Sequence, residues 1–264
     1  MTAAPPRILI IAGSDSSGGA GIQADIKTVT MLGGYAMTAI TAITAQNTLG
    51  VQAVEVLSPE LVAAQIDSCL SDIGADAVKI GMLGSPEIAA GVADRLEGLE
   101  VPIVFDPVMV ATSGSVLADK ATVAAFERLM RLATVVTPNL PELAALTGVA
   151  LDGEETATAA ARQLAERFDC AVLAKGGHSS AEDITDLLYE PERRINRCTS
   201  TRIETRHTHG TGCTLASALA TGLAGGKPLP GAARAAIEFV RAAIGQAPGF
   251  GSGSGPLGHQ ALRR

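Results

Sequence analysis

The residues with the most suggestive chemistry form a short small-residue segment, His209–Thr214 (HGTGCT), directly before an alanine-rich stretch with helical spacing. Glycines at a helix start let a ligand approach the free backbone N–H groups of the first turn, which attract an anion. Cys213 would lie in that turn, where the helix dipole lowers the pKa of a thiol, so it could take a proton from a hydroxyl or act as a nucleophile. A glycine turn followed by a small core cysteine is the simpler alternative.

Three other segments place a charged or amide side chain directly after a short apolar run. Lys175 precedes two glycines, where it could reach a polyphosphate or be a solvated lysine before a turn. Asn139 and Glu142 could hold the water shell of Mg²⁺, or they could form a helix N-cap with a capping box. Asp106 could face a metal or phosphates, or it could begin a turn. If the apolar runs are parallel strands, these side chains gather at one edge of a sheet.

The elements that would position these residues are short aliphatic runs alternating with longer segments of helical spacing. The runs predict buried strands at Arg7–Ala12, Met37–Thr44, Ala77–Ile80, Ile103–Phe105, Thr134–Val136 and Ala171–Ala174. The longer segments predict helices at Ile22–Leu32, Glu60–Ser71, Pro86–Leu96, Lys120–Leu132, Glu154–Arg167, Thr214–Ala224 and Gly231–Ala247. This alternation predicts an α/β fold with a mostly parallel sheet and helices on both faces. At 264 residues, the chain fits a single domain over residues 1–264.

Two regions break the alternation. Short strand patterns at Leu187–Tyr189, Ile195–Cys198 and Arg202–Thr205 follow one another without a helix, which predicts a small antiparallel element at one sheet edge. The segment Gly249–Gly258 has the glycine content of a loop. The glycine-rich segment Ala12–Gly21 has the spacing of neither a Rossmann fingerprint nor a P-loop, which weakens both of those interpretations.

Composition excludes several classes of function. The formal net charge is −7 and no basic run exceeds a pair, so nucleic acid is not an expected partner. The four cysteines form no CxxC pair, which suggests neither a zinc site nor a disulfide framework. No apolar stretch is long enough to span a membrane, and residues 1–7 do not form a signal peptide, so we expect no membrane partner and a cytoplasmic protein.

Taken together, the motifs resemble those of hydroxymethylpyrimidine/phosphomethylpyrimidine kinases of thiamine biosynthesis, which belong to the ribokinase-like superfamily. The segments that carry the resemblance are Ala12–Asp25 (AGSDSSGGAGIQAD), Thr44–Thr48 (TAQNT), Lys79–Leu83 (KIGML), Asp106–Val110 (DPVMV), Thr137–Glu142 (TPNLPE), Lys175–His178 (KGGH) and His209–Thr214 (HGTGCT). The resemblance implies a three-layer α/β/α fold and a homodimer. It also implies ATP- and Mg²⁺-dependent phosphorylation of 4-amino-5-hydroxymethyl-2-methylpyrimidine, first on its alcohol and then on the monophosphate.

The resemblance also implies roles for individual residues. Cys213 would activate the substrate alcohol, and the catalytic group would further include Gly210, Thr211, Gly212 and Lys175. The pyrimidine would contact Gln46, Ala20, Asp25, Met82 and Val108. The nucleotide would contact Lys175, Asn139, Thr211 and Gly212. The metal would be held by Asp106 and Glu142.

Chemistry agrees with the role of Gln46, since a carboxamide offers a donor beside an acceptor and so matches an amine beside a ring nitrogen. A buried glutamine satisfied by the backbone is the alternative. The sequence departs from the family pattern near its end, where Ser254 precedes Gly255-Pro256 and Gly258 precedes His259, at positions that often carry His and a polar residue.

Three other functions remain open from the sequence. A pyridoxal or pyridoxine kinase of the same fold is the main rival, although a pyridoxal ring offers no amine–nitrogen edge to Gln46. Cys213 with His209 or His207 could instead form a thiol hydrolase that needs no nucleotide. A ligand sensor on the same scaffold would bind the pyrimidine without turning over ATP.

Overall fold

The protein is described by a computed structural model over residues 4–110, 114, 117–178, 182–192 and 194–262. Within these residues the strands are β1 Arg7–Asp15, β2 Tyr35–Asn47, β3 Gly50–Val56, β4 Ala77–Ile80, β5 Ile103–Phe105, β6 Val135–Val136, β7 Ala171–Ala174, β8 Asp183–Tyr189 and β9 Ile195–Thr201. They form one sheet in the order β3-β2-β1-β4-β5-β6-β7-β8-β9. Neighbouring strands are parallel among the six central strands β2, β1, β4, β5, β6 and β7. The pairs β2–β3, β7–β8 and β8–β9 are antiparallel.

The central strands are apolar on both sides because helices cover both faces of the sheet. In β1, Ile8 and Ile10 point to one apolar core and Leu9 and Ile11 to the other, and all four are fully buried. The helices are α1 Gly21–Met31, α2 Pro59–Asp72, α3 Pro86–Leu96, α4 Lys120–Leu132, α5 Leu140–Thr147, α6 Glu154–Phe168, α7 Thr211–Ala224 and α8 Leu229–Gly245. Helices α1, α7 and α8 pack on one face, and α2 to α6 pack on the other. The result is a three-layer α/β/α arrangement.

The structure confirms the predicted α/β fold and the antiparallel edge formed by β8 and β9. It also adds a second antiparallel edge, because β3 pairs with the long strand β2. This strand was missed since five of its seven residues are exposed, which leaves no buried alternation to detect. The eight-residue helix α5 was not among the predicted helices, although a helix cap at Asn139 and Glu142 was one of the two interpretations of that segment.

One predicted strand is wrong. Arg202–Thr205 is not a strand, because β9 ends at Thr201 and the Arg202 amide makes the last bond, to the Glu182 carbonyl oxygen. The chain then leaves the sheet and lines the cleft described below. Among the described helices, none combines the length and apolar character that crossing a bilayer requires.

Candidate active site

A cleft of about 900 Å³ opens at the carboxyl ends of the parallel strands. This is the edge at which ligands bind in doubly wound sheets. Its walls include every residue that we predicted for the site except Asp25, namely Ala20, Gln46, Met82, Asp106, Val108, Asn139, Glu142, Lys175, Gly210, Thr211, Gly212 and Cys213. The loops that follow β1, β4, β5, β6 and β7 and the carboxyl end of β2 therefore converge with the start of α7 on one space.

Lys175 lies at the centre of the charged part of the cleft. Its Nζ donates to Asp106 Oδ1 at 2.7 Å and lies 3.8 Å from Glu142 Oε2. Burial opposes the charge on Lys175, but Asp106 and Glu142 outweigh burial and raise the pKa of the ammonium group. A β-carbon built on Gly212 would lie 3.4 Å from both Lys175 Nζ and Asp106 Oδ2. The lysine, the carboxylate and the first turn of α7 thus face one another.

The alternative interpretation of Asn139 and Glu142 as a helix cap is correct in this structure. The Asn139 side chain accepts from the Glu142 amide, and Glu142 accepts from the Asn139 amide, both at 2.8 Å. This capping box begins α5. It does not remove Glu142 from the site, because the carboxylate is buried beside Lys175. Burial raises the pKa of Glu142, and the Lys175 ammonium group opposes that rise.

The start of α7 has the shape expected of an anion site. Gly210 has φ 86°, and a β-carbon there would lie 1.9 Å from the Gly19 carbonyl oxygen, so only glycine fits. The Thr211 amide donates to the Thr208 carbonyl oxygen at 3.3 Å, which partly occupies one of the predicted donors. The amides of Gly212 and Cys213 lie in the first turn, where a helix offers no acceptor of its own.

The predicted lowering of the Cys213 pKa is wrong. Burial of the thiol raises its pKa to about 11, although the Lys79 ammonium group opposes this rise. The helix dipole is equivalent to only a partial positive charge near the thiol. The loss of water around the thiolate therefore has the larger effect on the pKa here. The thiol is therefore neutral near pH 7, which also argues against the thiol hydrolase hypothesis. His209, the proposed partner in that hypothesis, is hydrogen-bonded to Asp15 instead.

Asp25 lies beneath the cleft rather than on its wall. It is fully buried, with Oδ2 accepting from Lys79 Nζ at 2.8 Å and Oδ1 accepting from Ser217 at 2.7 Å. Lys79 is also fully buried, and attraction by Asp25 keeps it charged. Asp25 is not among the residues that line the cleft, whereas its partner Lys79 is.

Comparison with known proteins agrees with this geometry. A family model described as phosphomethylpyrimidine kinase matches residues 15–258. A hydroxymethylpyrimidine/phosphomethylpyrimidine kinase of Rhizobium meliloti is 51% identical over 255 residues, which are 95% of this chain and 96% of the relative. The chain belongs to the phosphomethylpyrimidine kinase family. The family resemblance inferred from the sequence motifs is thereby confirmed.

Two solved structures show the same fold. A phosphomethylpyrimidine kinase from Clostridium difficile superposes with a TM-score of 0.80 at 37% identity, covering 90% of this chain and 99% of that one. A pyridoxal kinase from Staphylococcus aureus in complex with AMP-PCP and pyridoxal superposes with a TM-score of 0.89 at 35% identity, covering 98% and 94%. The fold of this phosphomethylpyrimidine kinase family member is therefore ribokinase-like, as the resemblance implied.

The side chains around Lys175 in the cleft include oxygen ligands of the kind that Mg²⁺ prefers. Mg²⁺ binds through one or two carboxylates together with phosphate oxygens and water, and Asp106 and Glu142 supply two carboxylates on one wall. Among the described residues no cluster of three or more His, Cys, Asp or Glu side chains is placed to hold a metal by itself. The remaining ligands would have to come from a bound phosphate and from water.

Sequence reasoning missed the partners that hold the opposite end of the cleft. Gln46 lies there with its side-chain amide nitrogen 3.2 Å from His209 Nε2, and His209 Nε2 is 2.8 Å from Asp15 Oδ2. Asp15 and His209 are 194 residues apart in the chain. The only signal available for them was their presence in two motifs of the resemblance.

Proposed function

We propose that this protein transfers the γ-phosphoryl group of ATP to the alcohol of 4-amino-5-hydroxymethyl-2-methylpyrimidine, and then to the resulting monophosphate. The observation that carries the proposal is the convergence of Lys175, Asp106 and the Gly212 turn on one side of a cleft whose other side presents Gln46. Membership of the phosphomethylpyrimidine kinase family supports the substrate class.

In the charged half, the residues neutralise and orient phosphate groups. Phosphoryl transfer needs positioning and charge stabilisation more than covalent participation by the protein. We assign the ammonium group of Lys175 and the amides of Gly212 and Cys213 to the transferring group, with Thr211 as a weaker contributor. Asn139 would contact the nucleotide beside the same strand ends.

Mg²⁺, held by Asp106 and Glu142, would supply positive charge to the phosphate oxygens when bound. The capping box fixes the Glu142 carboxylate, and a hydrogen bond of 2.9 Å from Thr137 fixes Asp106. Both carboxylates are therefore oriented before any ligand arrives.

In the other half, a flat ring would lie between apolar side chains with its polar edge on Gln46. Ala20, Met82 and Val108 are among the residues that line the cleft, and we assign them to the ring. The Gln46 backbone is fixed by Ser16, whose hydroxyl accepts from the Gln46 amide at 2.8 Å and donates to its carbonyl oxygen at 2.9 Å. The carboxamide therefore projects from a positioned backbone.

The thiolate form of Cys213, a small fraction at pH 7, would receive the proton of the substrate alcohol late in the transfer, because the neutral thiol already carries a proton. Its raised pKa makes it a poor base in the free protein at neutral pH. A loose transition state places little demand on early deprotonation, so a weakly ionised thiol is sufficient for an assisting role.

Product analysis tests the proposal directly. The protein is incubated with ATP, Mg²⁺ and the aminopyrimidine alcohol, and products are followed by mass spectrometry. We expect the monophosphate first and the pyrophosphate later. Release of ADP without a phosphorylated pyrimidine would contradict the proposal, and bound pyrimidine without ADP would favour a sensor.

A pyridoxal kinase is the second candidate because of the likeness to the S. aureus pyridoxal kinase. The Gln46 carboxamide favours the aminopyrimidine, which has an amine beside a ring nitrogen. We therefore expect a higher kcat/KM for the aminopyrimidine alcohol than for pyridoxal. A strong preference for pyridoxal would reverse the assignment.

Replacing Gln46 tests the ring-binding half by itself. In Gln46→Ala we expect KM for the aminopyrimidine to rise about tenfold or more, because a hydrogen-bonded ring edge loses its partner. KM for ATP should change little. Steady-state kinetics with each substrate varied in turn makes the measurement, and an effect confined to the ATP term would show that Gln46 has another role.

A homodimer and a cytoplasmic location remain predictions. Exposed apolar side chains on the β2–β3 edge, Val54 and Val56 on one face and Ile43 on the other, support an interface between two copies there. Sedimentation velocity at several protein concentrations would test the dimer.

A further inference from the structure

Asp15, His209 and Gln46 form a connected polar chain between the β1 loop and the ring-binding half of the cleft. Asp15 and His209 are 3% and 6% exposed, so their contact is shielded from water. Gln46 is partly exposed and forms the end of the chain that faces the cleft. This arrangement couples the buried carboxylate to the predicted ring-binding amide through one imidazole nitrogen.

Asp15 is held as an ionised acceptor by its own loop. Its carboxylate accepts from the amides of Ser17, Gly19 and Ala20 at 2.8 to 3.0 Å and from the Ser17 hydroxyl. Burial opposes ionisation, but these hydrogen bonds and the one from His209 outweigh burial and hold the pKa of Asp15 well below its usual range. An ionised carboxylate can only accept hydrogen bonds.

The position of the proton on His209 follows from this. Nε2 lies 2.8 Å from the Asp15 carboxylate, so Nε2 carries a hydrogen and donates it to Asp15. A protonated ring nitrogen has no lone pair, and it therefore cannot accept from the Gln46 amide nitrogen at 3.2 Å. Rotation of the carboxamide by a half turn puts its oxygen at this place, where it is attracted by the Nε2 hydrogen. The amide NH₂ group then faces the cleft.

We propose that Asp15 and His209 are positioning residues that fix the orientation of the Gln46 carboxamide and thereby select the ring edge that the site accepts. In this orientation the NH₂ group donates to a ring nitrogen. The oxygen keeps a second lone pair for a neighbouring amine. A ring with the donor and the acceptor exchanged would meet the wrong group. This inference rests on the proposed function, in which Gln46 binds the pyrimidine.

The substitution His209→Phe is the most direct probe. Phenylalanine keeps the ring that packs against Gly19, where a β-carbon would lie 2.4 Å from His209 Cδ2. It removes the Nε2 hydrogen, while Asp15 keeps its other donors. His207→Phe, on the same loop but outside the walls of the cleft, is the matched control.

We expect His209→Phe to raise KM for the aminopyrimidine about tenfold with KM for ATP unchanged, and His207→Phe to change neither. In a double-mutant cycle, His209→Phe should have no further effect on this KM once Gln46 is alanine. Equal effects of His209→Phe in both backgrounds would overturn the proposal, because a general structural role is additive. No KM change in His209→Phe would overturn it as well.

A second variant covers the case in which His209→Phe does not fold. Asp15→Asn keeps an acceptor for the Ser17 amide and can turn its NH₂ group toward His209, which releases the imidazole from a single protonation pattern. The Gly19 and Ala20 amides then lose the acceptor at the Oδ2 position, so the loop is perturbed as well. We expect a smaller rise in KM, about threefold, that also vanishes in the Gln46→Ala background. Persistence of that rise without Gln46 would contradict the proposal. If Gln46→Ala alone left KM unchanged, the proposed function of Gln46 would fail instead, so the two failures are distinguishable.

Discussion

Two lysines border the same cleft in opposite surroundings. Lys79 is fully enclosed and has one carboxylate partner, Asp25, which is also fully enclosed. The side chain of Lys175 keeps 14% of its exposure and lies between two carboxylates, Asp106 and Glu142. Lys79 and Asp25 neutralise each other. Lys175 is open to the cleft on one side and has two carboxylate partners, so one carboxylate is in excess and can bind a cation. A buried ion pair is therefore a candidate for chemistry when one side of it stays open to a ligand.

Removal of Lys79 should produce the largest effect, and it should be an effect on stability. Lys79→Met leaves the Asp25 carboxyl group unpaired in the interior, where burial already raises its pKa, so the residue must stay charged without a partner or take up a proton. Either outcome lowers the free energy of unfolding, by about 3–5 kcal/mol. Urea unfolding measures the change. The double variant Lys79→Met/Asp25→Asn should recover part of the loss, and Arg128→Met, at an exposed ion pair, should change stability little. If the Lys79→Met protein were as stable as the parent, the claim that Lys79 and Asp25 stabilise the fold would be wrong.

Removal of Lys175 should act on turnover rather than on folding. Lys175→Met takes away one charged donor to the transferring phosphoryl group, and we expect kcat to fall about 10²–10³-fold. Water can enter the open side and solvate Asp106, so the melting temperature should fall less than in Lys79→Met. Steady-state kinetics and thermal melting of both variants make the test. Unchanged kcat with a large stability loss would place Lys175 in the same class as Lys79.

Cys213 provides a further test of the two lysines, because both interact electrostatically with its thiolate. We expect Cys213→Ala to lower kcat by about 10²-fold, the low end for a general base, since the thiol is mostly neutral at pH 7. Its folded pKa is raised to about 11, so the thiolate fraction grows about tenfold per pH unit below that value.

The pH profile of kcat provides the second readout for Cys213. In the parent protein kcat should rise with pH above 7, and in Cys213→Ala this rise should be absent. A flat profile in the parent would remove Cys213 from proton transfer.

The fold was predictable because its parallel strands are apolar on both faces and are followed by regular helices. The edge strand β3 was not, since an exposed strand carries no hydrophobic period, and Arg202–Thr205 has strand-like residues but leaves the sheet after Thr201. Local propensity does not show where a ladder ends.

The candidate site also contains some residues that were predictable from the sequence and some that were not. Residues directly after strands, such as Asp106 and Lys175, were predictable because parallel strands end at a common edge. The pairs Asp25–Lys79 and Asp15–His209 are 54 and 194 residues apart, so only the folded chain reveals them. The raised pKa of Cys213 was missed for a related reason, because the sequence shows the helix start but not the burial around the thiol.

A crystal structure with a non-hydrolysable ATP analogue, Mg²⁺ and the aminopyrimidine alcohol tests the central claim, that one cleft holds both substrates. We expect the terminal phosphate between Lys175 Nζ and the Gly212 amide, with the ring edge on Gln46 and the alcohol directed at that phosphate. A phosphate bound away from Lys175 and Gly212, or a pyrimidine that does not reach Gln46, would contradict it.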